Sequence, residues 1–183
     1  MIIKIMREYL TEVLVLDKNK VNETDLTVDL YAKELGRIKA KMTSGQKITS
    51  KLSPHLEPLT FSLVRLTEKN GFVVADALTQ DYLKHFRVSP VYFAKALKLL
   101  SALKELIYSE EIDPKLWFWL KKTLAKREIF YSQFLKILGY DPKLAECRKC
   151  RSKFIKYFLA ADQIFLCRNC GFKVPQNRLL LEL

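Results

Sequence analysis

The chain has 183 residues, 49 % of them hydrophobic and 28 % charged, with 32 basic against 20 acidic side chains and a formal net charge of +12. Such a length supports a true hydrophobic core in one or two domains, and no apolar run reaches the roughly eighteen residues of a membrane helix. The basic surplus points either to a polyanionic partner, of which nucleic acid is the commonest in a cytoplasm, or to a merely soluble basic surface.

The first residues, MIIKIMREYL, carry Lys4, Arg7 and Glu8 where a secretory leader has an unbroken apolar core, so a cytoplasmic location is expected. Five short β-rich segments follow, separated by polar turns: YLTEVLVLD (9–17), DLTVDLYA (25–32), GRIKAKM (36–42), LTFSLVRLT (59–67) and GFVVADALT (71–79). In the second, Leu26, Val28 and Leu30 alternate with Asp25, Thr27, Asp29 and Tyr31, the pattern of a strand with one buried face.

The third segment puts Arg37, Lys39 and Lys41 on one face and Ile38, Ala40 and Met42 on the other. Its cations are spaced about 6.6 Å apart, close to the phosphate repeat of an extended strand. The following TSGQKITSKLSPH adds Lys47 and Lys51, and no acid falls between Glu34 and Glu57. These five cations are candidate contacts to a nucleic-acid backbone, with a solvated strand face as the plainer reading. Lys69-Asn70-Gly71 supplies the Asn-Gly pair of a tight hairpin between the fourth and fifth segments. Five strands of this length suit a small closed barrel of the OB type over residues 1–81.

From about residue 82 the signals become helical. Ser89-Pro90 and Asp113-Pro114 each pair an N-cap residue with proline at the first helical position. Helices are predicted over 90–109 and 114–125, with Leu97, Leu100, Leu103 and Ile107, then Trp117, Leu120 and Leu124, at helical spacing. A third, over 127–138, presents Ile129, Phe130, Phe134, Leu135 and Leu138 before Gly139. The aromatic run WFWL reads as core. Residues 82–146 thus form a helical domain.

All four cysteines lie in residues 147–183, as Cys147-x-x-Cys150 and Cys167-x-x-Cys170 separated by sixteen residues. That spacing belongs to zinc sites in which two C-x-x-C turns, joined by a strand pair, meet one ion. Phe154, Tyr157, Phe158, Ile164 and Phe165 are the expected apolar surface of the hairpin, with Ala160 to Gln163 near its turn. Two disulfides would suit a short secreted chain better, and a redox C-x-x-C does not require two matched pairs. Four thiolates fill a tetrahedral sphere and leave no position for an activated water, so zinc here is structural.

Charge is uneven along the chain. Residues 1–82 hold 12 basic and 11 acidic side chains, 83–146 hold 12 and 7, and 147–183 hold 8 and 2. Arg148, Lys149, Arg151 and Arg168 stand beside the cysteines as further candidate phosphate contacts, or as charges that keep an aromatic-rich module soluble. No phosphate-binding loop, dinucleotide fingerprint or H-E-x-x-H is present, and the two histidines, His55 and His85, suit ordinary surface roles. An enzyme is not expected.

The order of these features resembles RecO, the bacterial DNA repair and recombination mediator family: an OB-type barrel, a helical domain and, in many members, a cysteine zinc module. The similarity runs from about Leu14 to Cys170. VLVLDKNKVNETDLTVDLYAKELGRIKAKM resembles the first three strands of that family, with Glu23 and Asp25 in the acidic turn. Gly36 to Pro58 keeps the spacing to Ser50, Leu52, Leu56 and Pro58, and ILGYDPKLAECRKC resembles the approach to the first cysteine knuckle. The resemblance implies an α+β fold in which an OB-like five-stranded barrel precedes a helical domain with an inserted or appended four-cysteine, zinc-ribbon-like module.

It further implies a nucleoid-associated protein that binds single- and double-stranded DNA and anneals complementary strands. Cooperation with RecR to load RecA, and binding of the C-terminal tail of single-stranded-DNA-binding protein, are implied too. Thr43, Gln46 and Thr49 stand where the family is often basic, which implies a modest affinity of the barrel for DNA. RecO chains commonly continue with more helix after the module, where this sequence reads RLLLEL. An RNA-binding or ribosome-associated zinc protein is the rival reading, and a protein adaptor with incidental charge is a third.

Overall fold

Strands form where β-branched and alternating residues lead one to expect them: β1 (Arg7–Lys20), β2 (Leu26–Ala32), β3 (Gly36–Met42), β4 (Phe61–Glu68) and β5 (Phe72–Asp81). They are seen in a computed structural model that describes residues 7–43, 45, 50–108 and 111–183. β1 pairs antiparallel with both β2 and β4, β2 with β3, and β4 with β5. A short parallel contact, Ala40 opposite Phe72 and Lys41 opposite Val73, joins β3 to β5 and closes the sheet into a barrel in the order β1-β2-β3-β5-β4. Register shifts at Val15/Asp17 in β1 and Arg65/Leu66 in β4 supply the extra twist that tight closure requires.

Inside lie Val13, Val15, Val28, Leu30, Ile38, Ala40, Val64 and Leu66, with Leu56 from a 3₁₀ turn (Ser53–Leu56) among them. Each such aliphatic side chain contributes about 1.5–3 kcal/mol when fully buried. His55 of the same turn has a structural task. Its Nδ1 lies 2.9 Å from Thr79 Oγ1 and accepts the Thr79 N–H at 3.2 Å, which ties the turn to β5. The connection between β4 and β5 is a three-residue loop, since Glu68 pairs with Phe72, and Gly71 there takes a φ of 114°.

One expectation fails for a definite physical reason. β2 is buried on both faces, with Asp29 at 5 % and Tyr31 at 1 % relative exposure. The chain segment after the second helix covers the face that was expected to meet solvent. Residues 1–90 and Ile107–Pro114 form one compact unit, and Val91–Leu106 with Lys115–Leu183 form the other. Within the first unit, Tyr31 Oη donates to the Asp113 carbonyl at 3.4 Å, and Arg37 Nη1 to the Ile107 carbonyl at 3.0 Å. Gly36, at φ 67°, faces the Glu111 backbone so closely that any Cβ would collide with the Glu111 carbonyl. A glycine is required at this position by both conformation and approach distance.

The second unit holds α2 (Pro90–Leu106) and α3 (Pro114–Lys126), each apart from its first residue, and α4 (Tyr131–Ile137). A short α1 (Lys84–Arg87) precedes them in the first unit. Leu99, Leu100 and Leu103 of α2, Leu116, Trp117, Leu120 and Leu124 of α3, and Phe134 and Leu135 of α4 are buried. Trp119 stacks on Phe134 at 5.7 Å, and Tyr131 Oη donates to the Lys95 carbonyl at 3.0 Å. The WFWL run is therefore split, because Trp117 is core whereas Phe118 is 69 % exposed. α4 starts four residues later than expected, since Arg127 adopts φ 58° and Phe130 is extended. No helix of the described residues is long and apolar enough to cross a membrane.

A three-stranded sheet completes this unit: β6 (Ile155–Leu159), β7 (Ile164–Cys167) and β8 (Leu180–Glu182), in the order β7-β6-β8. The β6–β7 hairpin turns at residues 160–163 with Gln163 at φ 53°. Tyr157, Phe158, Ile164 and Phe165 stand on it as expected, but Phe154 precedes it and is 89 % exposed. β8 has no counterpart in the sequence reading.

Candidate metal centre and cationic strand

Two chain reversals bring the cysteines together. In the first, Arg151 N–H donates to the Cys147 carbonyl at 2.7 Å and Cys147 N–H to the Ser152 carbonyl at 2.8 Å, with Arg151 at φ 58°. In the second, α5 (Arg168–Gly171) begins directly after Cys167. The Ile155–Cys167 pair at the end of the β6–β7 hairpin sets one turn against the other.

The four Sγ atoms all lie within 4.8 Å of one another, and those of Cys150 and Cys167 are 3.5 Å apart. A tetrahedron of sulfurs about 2.3 Å from a central ion has edges of about 3.8 Å, so the cluster fits a single metal ion. Leu159 and Leu166 pack beside the buried Cys147 and Cys167, with Tyr157, Val174 and Leu180 partly buried around them.

The thiols are electrically unequal. Burial opposes a Cys147 thiolate, but backbone N–H groups of Cys167, Cys150 and Lys149 outweigh it and bring its pKa down to about 6. Burial pushes Cys170 up to about 12, and its hydrogen bonds with the other sulfurs add to the effect. A lowered Cys147 beside a Cys170 that resists ionisation suits the arrival of a cation, whose charge favours the thiolate form of both.

Gly171 sits against Tyr157, and a Cβ there would meet the ring. Gly171→Ala is expected to cost about 1–3 kcal/mol by overpacking. Faster metal release to a chelator, with an unchanged melting transition of the barrel, is the measurement that checks it.

The cationic strand separates into three different situations. Lys39 and Lys41 are exposed, as the alternation requires, while Arg37 is half-buried. Arg37 Nη2 and Nε reach the Asp29 carboxylate at 2.7 and 3.0 Å, and the remaining amino group holds the Ile107 carbonyl. Its guanidinium is thus spent inside the protein. Lys41 Nζ lies 2.9 Å from Asp25 but keeps 51 % of its side chain exposed. Lys39 forms no ion pair among the described residues and borders a groove of about 540 Å³ that is also lined by Phe72, Gly71 and Tyr108. Lys51 is exposed, and Lys47 lies outside the described residues, as do Gln46 and Thr49.

Arg148, Lys149, Arg151 and Arg168 are all exposed around the cysteine turns. They and the strand cations belong to different units, the former to the second and the latter to the first. Sequence reasoning missed Asp29 as a partner for Arg37 and Gly36 as a seat for residue 111. An acid two positions along from the residue opposite Arg37, inside an otherwise apolar strand, was the available signal.

Residues 6–77 match a family model described as "Recombination protein O N terminal". The chain is 29 % identical over 176 residues to the DNA repair protein RecO of Thermodesulfovibrio yellowstonii, an alignment covering 89 % of this chain and 70 % of that protein. It is 28 % identical over 178 residues to the DNA repair protein RecO of Dehalococcoides mccartyi, with the same coverage. A third similar protein, the DNA repair protein RecO of Thermoanaerobacter sp., is 24 % identical over 182 residues, covering 92 % of this chain and 73 % of its own length. The alignments to these relatives cover about nine-tenths of this chain, whereas the family model ends at residue 77.

Proposed function

We propose that this chain, which belongs to the RecO family, is a recombination mediator that binds single- and double-stranded DNA and anneals complementary strands. In this reading the five-stranded barrel is an OB-like nucleic-acid fold, and Cys147, Cys150, Cys167 and Cys170 hold a structural zinc ion. Cooperation with RecR in loading RecA, and capture of the single-stranded-DNA-binding protein's tail, belong to the same proposal, with the nucleoid as the place of action. The observation that carries it is the coincidence of the family match over 6–77 with a closed barrel that presents exposed Lys39 and Lys41 from one strand.

No covalent catalyst is part of the reading. Cations lower the repulsion between two phosphate backbones while the bases pair themselves. Lys39, Lys41 and Lys51 are assigned to backbone contacts, with Lys41 exchanging the Asp25 carboxylate for a phosphate. Arg37 adds positive potential to the face without leaving Asp29.

A salt titration tests this. Affinity is expected to vary little with base sequence and to fall steeply with salt. Lys39→Ala with Lys41→Ala should reduce the slope of log K against log salt by about 0.7 per lost contact on single strands and about 0.9 on duplex. An unchanged slope in the folded double variant moves the site off this strand. A strong preference for matched RNA over DNA favours the RNA-binding reading instead.

A further inference from the structure

We infer that the cysteine-turn end of the β6–β7 hairpin is a second nucleic-acid site, selective for unpaired bases, built on Phe154 and Phe172. The inference rests on the reading of the chain as a nucleic-acid binder and adds to it a separate surface with its own strand preference. Phe154 immediately precedes the Ile155–Cys167 pair and Arg168 immediately follows it, so both emerge at the same end of the hairpin. Phe172 is held there as well, its ring 6.3 Å from Tyr157 and capped by the Arg168 guanidinium at 5.6 Å.

Both rings face solvent, Phe154 at 89 % and Phe172 at 67 % exposure, although the module has an apolar cluster of its own in which to bury them. Neither ring belongs to that cluster. Around them the charge is one-signed. The two acids of residues 147–183 are both engaged, Asp162 with Arg178 at 2.8 Å and Glu182 with Lys156 at 3.0 Å. Arg148, Lys149, Arg151, Lys153, Arg168 and Lys173 are exposed and form no ion pair among the described residues. Glu146, just before the first cysteine, is the next acid outside these residues.

Aromatic faces set among cations match a polymer that alternates phosphate with base. Phosphates meet the cations, and each free base finds a ring to stack on irrespective of its identity. Paired bases in a duplex keep their faces covered, so only unpaired strands gain from the rings. An amphipathic helix is the common device for an anionic bilayer, whereas these rings stand at short turns among the cations.

The test uses the purified full chain, a labelled oligothymidylate and a hairpin duplex of equal length. Phe154→Ala with Phe172→Ala should weaken oligothymidylate binding about tenfold or more while duplex affinity and the salt slope stay as in the parent. Phe154→Leu, a change at a fully solvated ring, should weaken single-strand binding in the same direction, because leucine keeps the apolar bulk and lacks the π face. Metal content is measured alongside, so that a collapsed module is recognised and the Phe154→Leu result decides. Equal losses on both nucleic acids, or none on oligothymidylate, overturn the inference. So does loss of binding to phosphatidylserine vesicles with oligothymidylate affinity intact. A parent protein that binds neither nucleic acid overturns the proposed function as well, whereas a parent that binds both with unaffected phenylalanine variants overturns this inference alone.

Discussion

Cys147→Ser is expected to abolish metal binding and unfold the segment that follows residue 146 while the barrel stays folded. Cys147 is fully buried, sits next to Leu159 and Leu166, and carries the thiol brought down to about 6. The apolar cluster around it is small, and below about 40 residues a core rarely sustains itself without a metal or cross-links. Apparent binding free energies of structural zinc in short four-ligand modules run to about 10–16 kcal/mol, and that energy is folding energy. Metal analysis should fall from about one ion per chain to none. Limited proteolysis should then cut within 147–183 and spare residues 7–81. Parent protein isolated without metal and with two disulfides would reject the assignment.

Arg37→Ala is expected to destabilise the barrel by about 3 kcal/mol, in contrast to Lys39→Ala two residues away. Asp29 is 5 % exposed, and Arg37 donates to both of its oxygens. Removing one side of a buried pair leaves a desolvated charge, which costs about 3–5 kcal/mol when burial is complete. The remaining 18 % exposure of the Arg37 side chain places the effect at the lower end. For a protein of this size that lowers the melting temperature by about 6–12 °C. Lys39→Ala, on the solvent side of the same strand, should change stability by under about 0.5 kcal/mol. Equal melting temperatures for the two variants would mean that Asp29 finds water or another donor when Arg37 is lost.

Those two variants also show what the sequence made legible. Period-two alternation in GRIKAKM put Ile38, Ala40 and Met42 inside and the cations opposite, because one buried face is enough to fix a strand's register. Paired C-x-x-C turns located the four cysteines whose sulfurs come together, since such clustering is short-range and depends on spacing. What alternation does not encode is whether the second face of a strand is later covered. Asp29 and Tyr31 read as solvent-facing, yet Ile107, Glu111 and Asp113, from far along the chain, lie against this part of the barrel. β8 was missed for a related reason: three residues pairing only with β6 leave no periodic signature in LLE. Phe118 in WFWL shows the limit of composition, for neighbours on a helix point in directions about 100° apart and a run of aromatics cannot all face one core.

Ile107–Pro114 belongs to the barrel's unit although α2 precedes it and α3 follows it. During synthesis the ribosome must therefore deliver all five strands and a complete helix before the seat at Gly36 receives its occupant. Until then Tyr31 lacks the Asp113 carbonyl and Arg37 the Ile107 carbonyl, the Arg37–Asp29 pair stays uncovered, and contacts of such long sequence separation form late and slowly. A fragment ending at residue 81 would therefore keep every strand yet lack the cover over β2, and fragments cut at 81 and at 114 should differ in refolding rate and solubility.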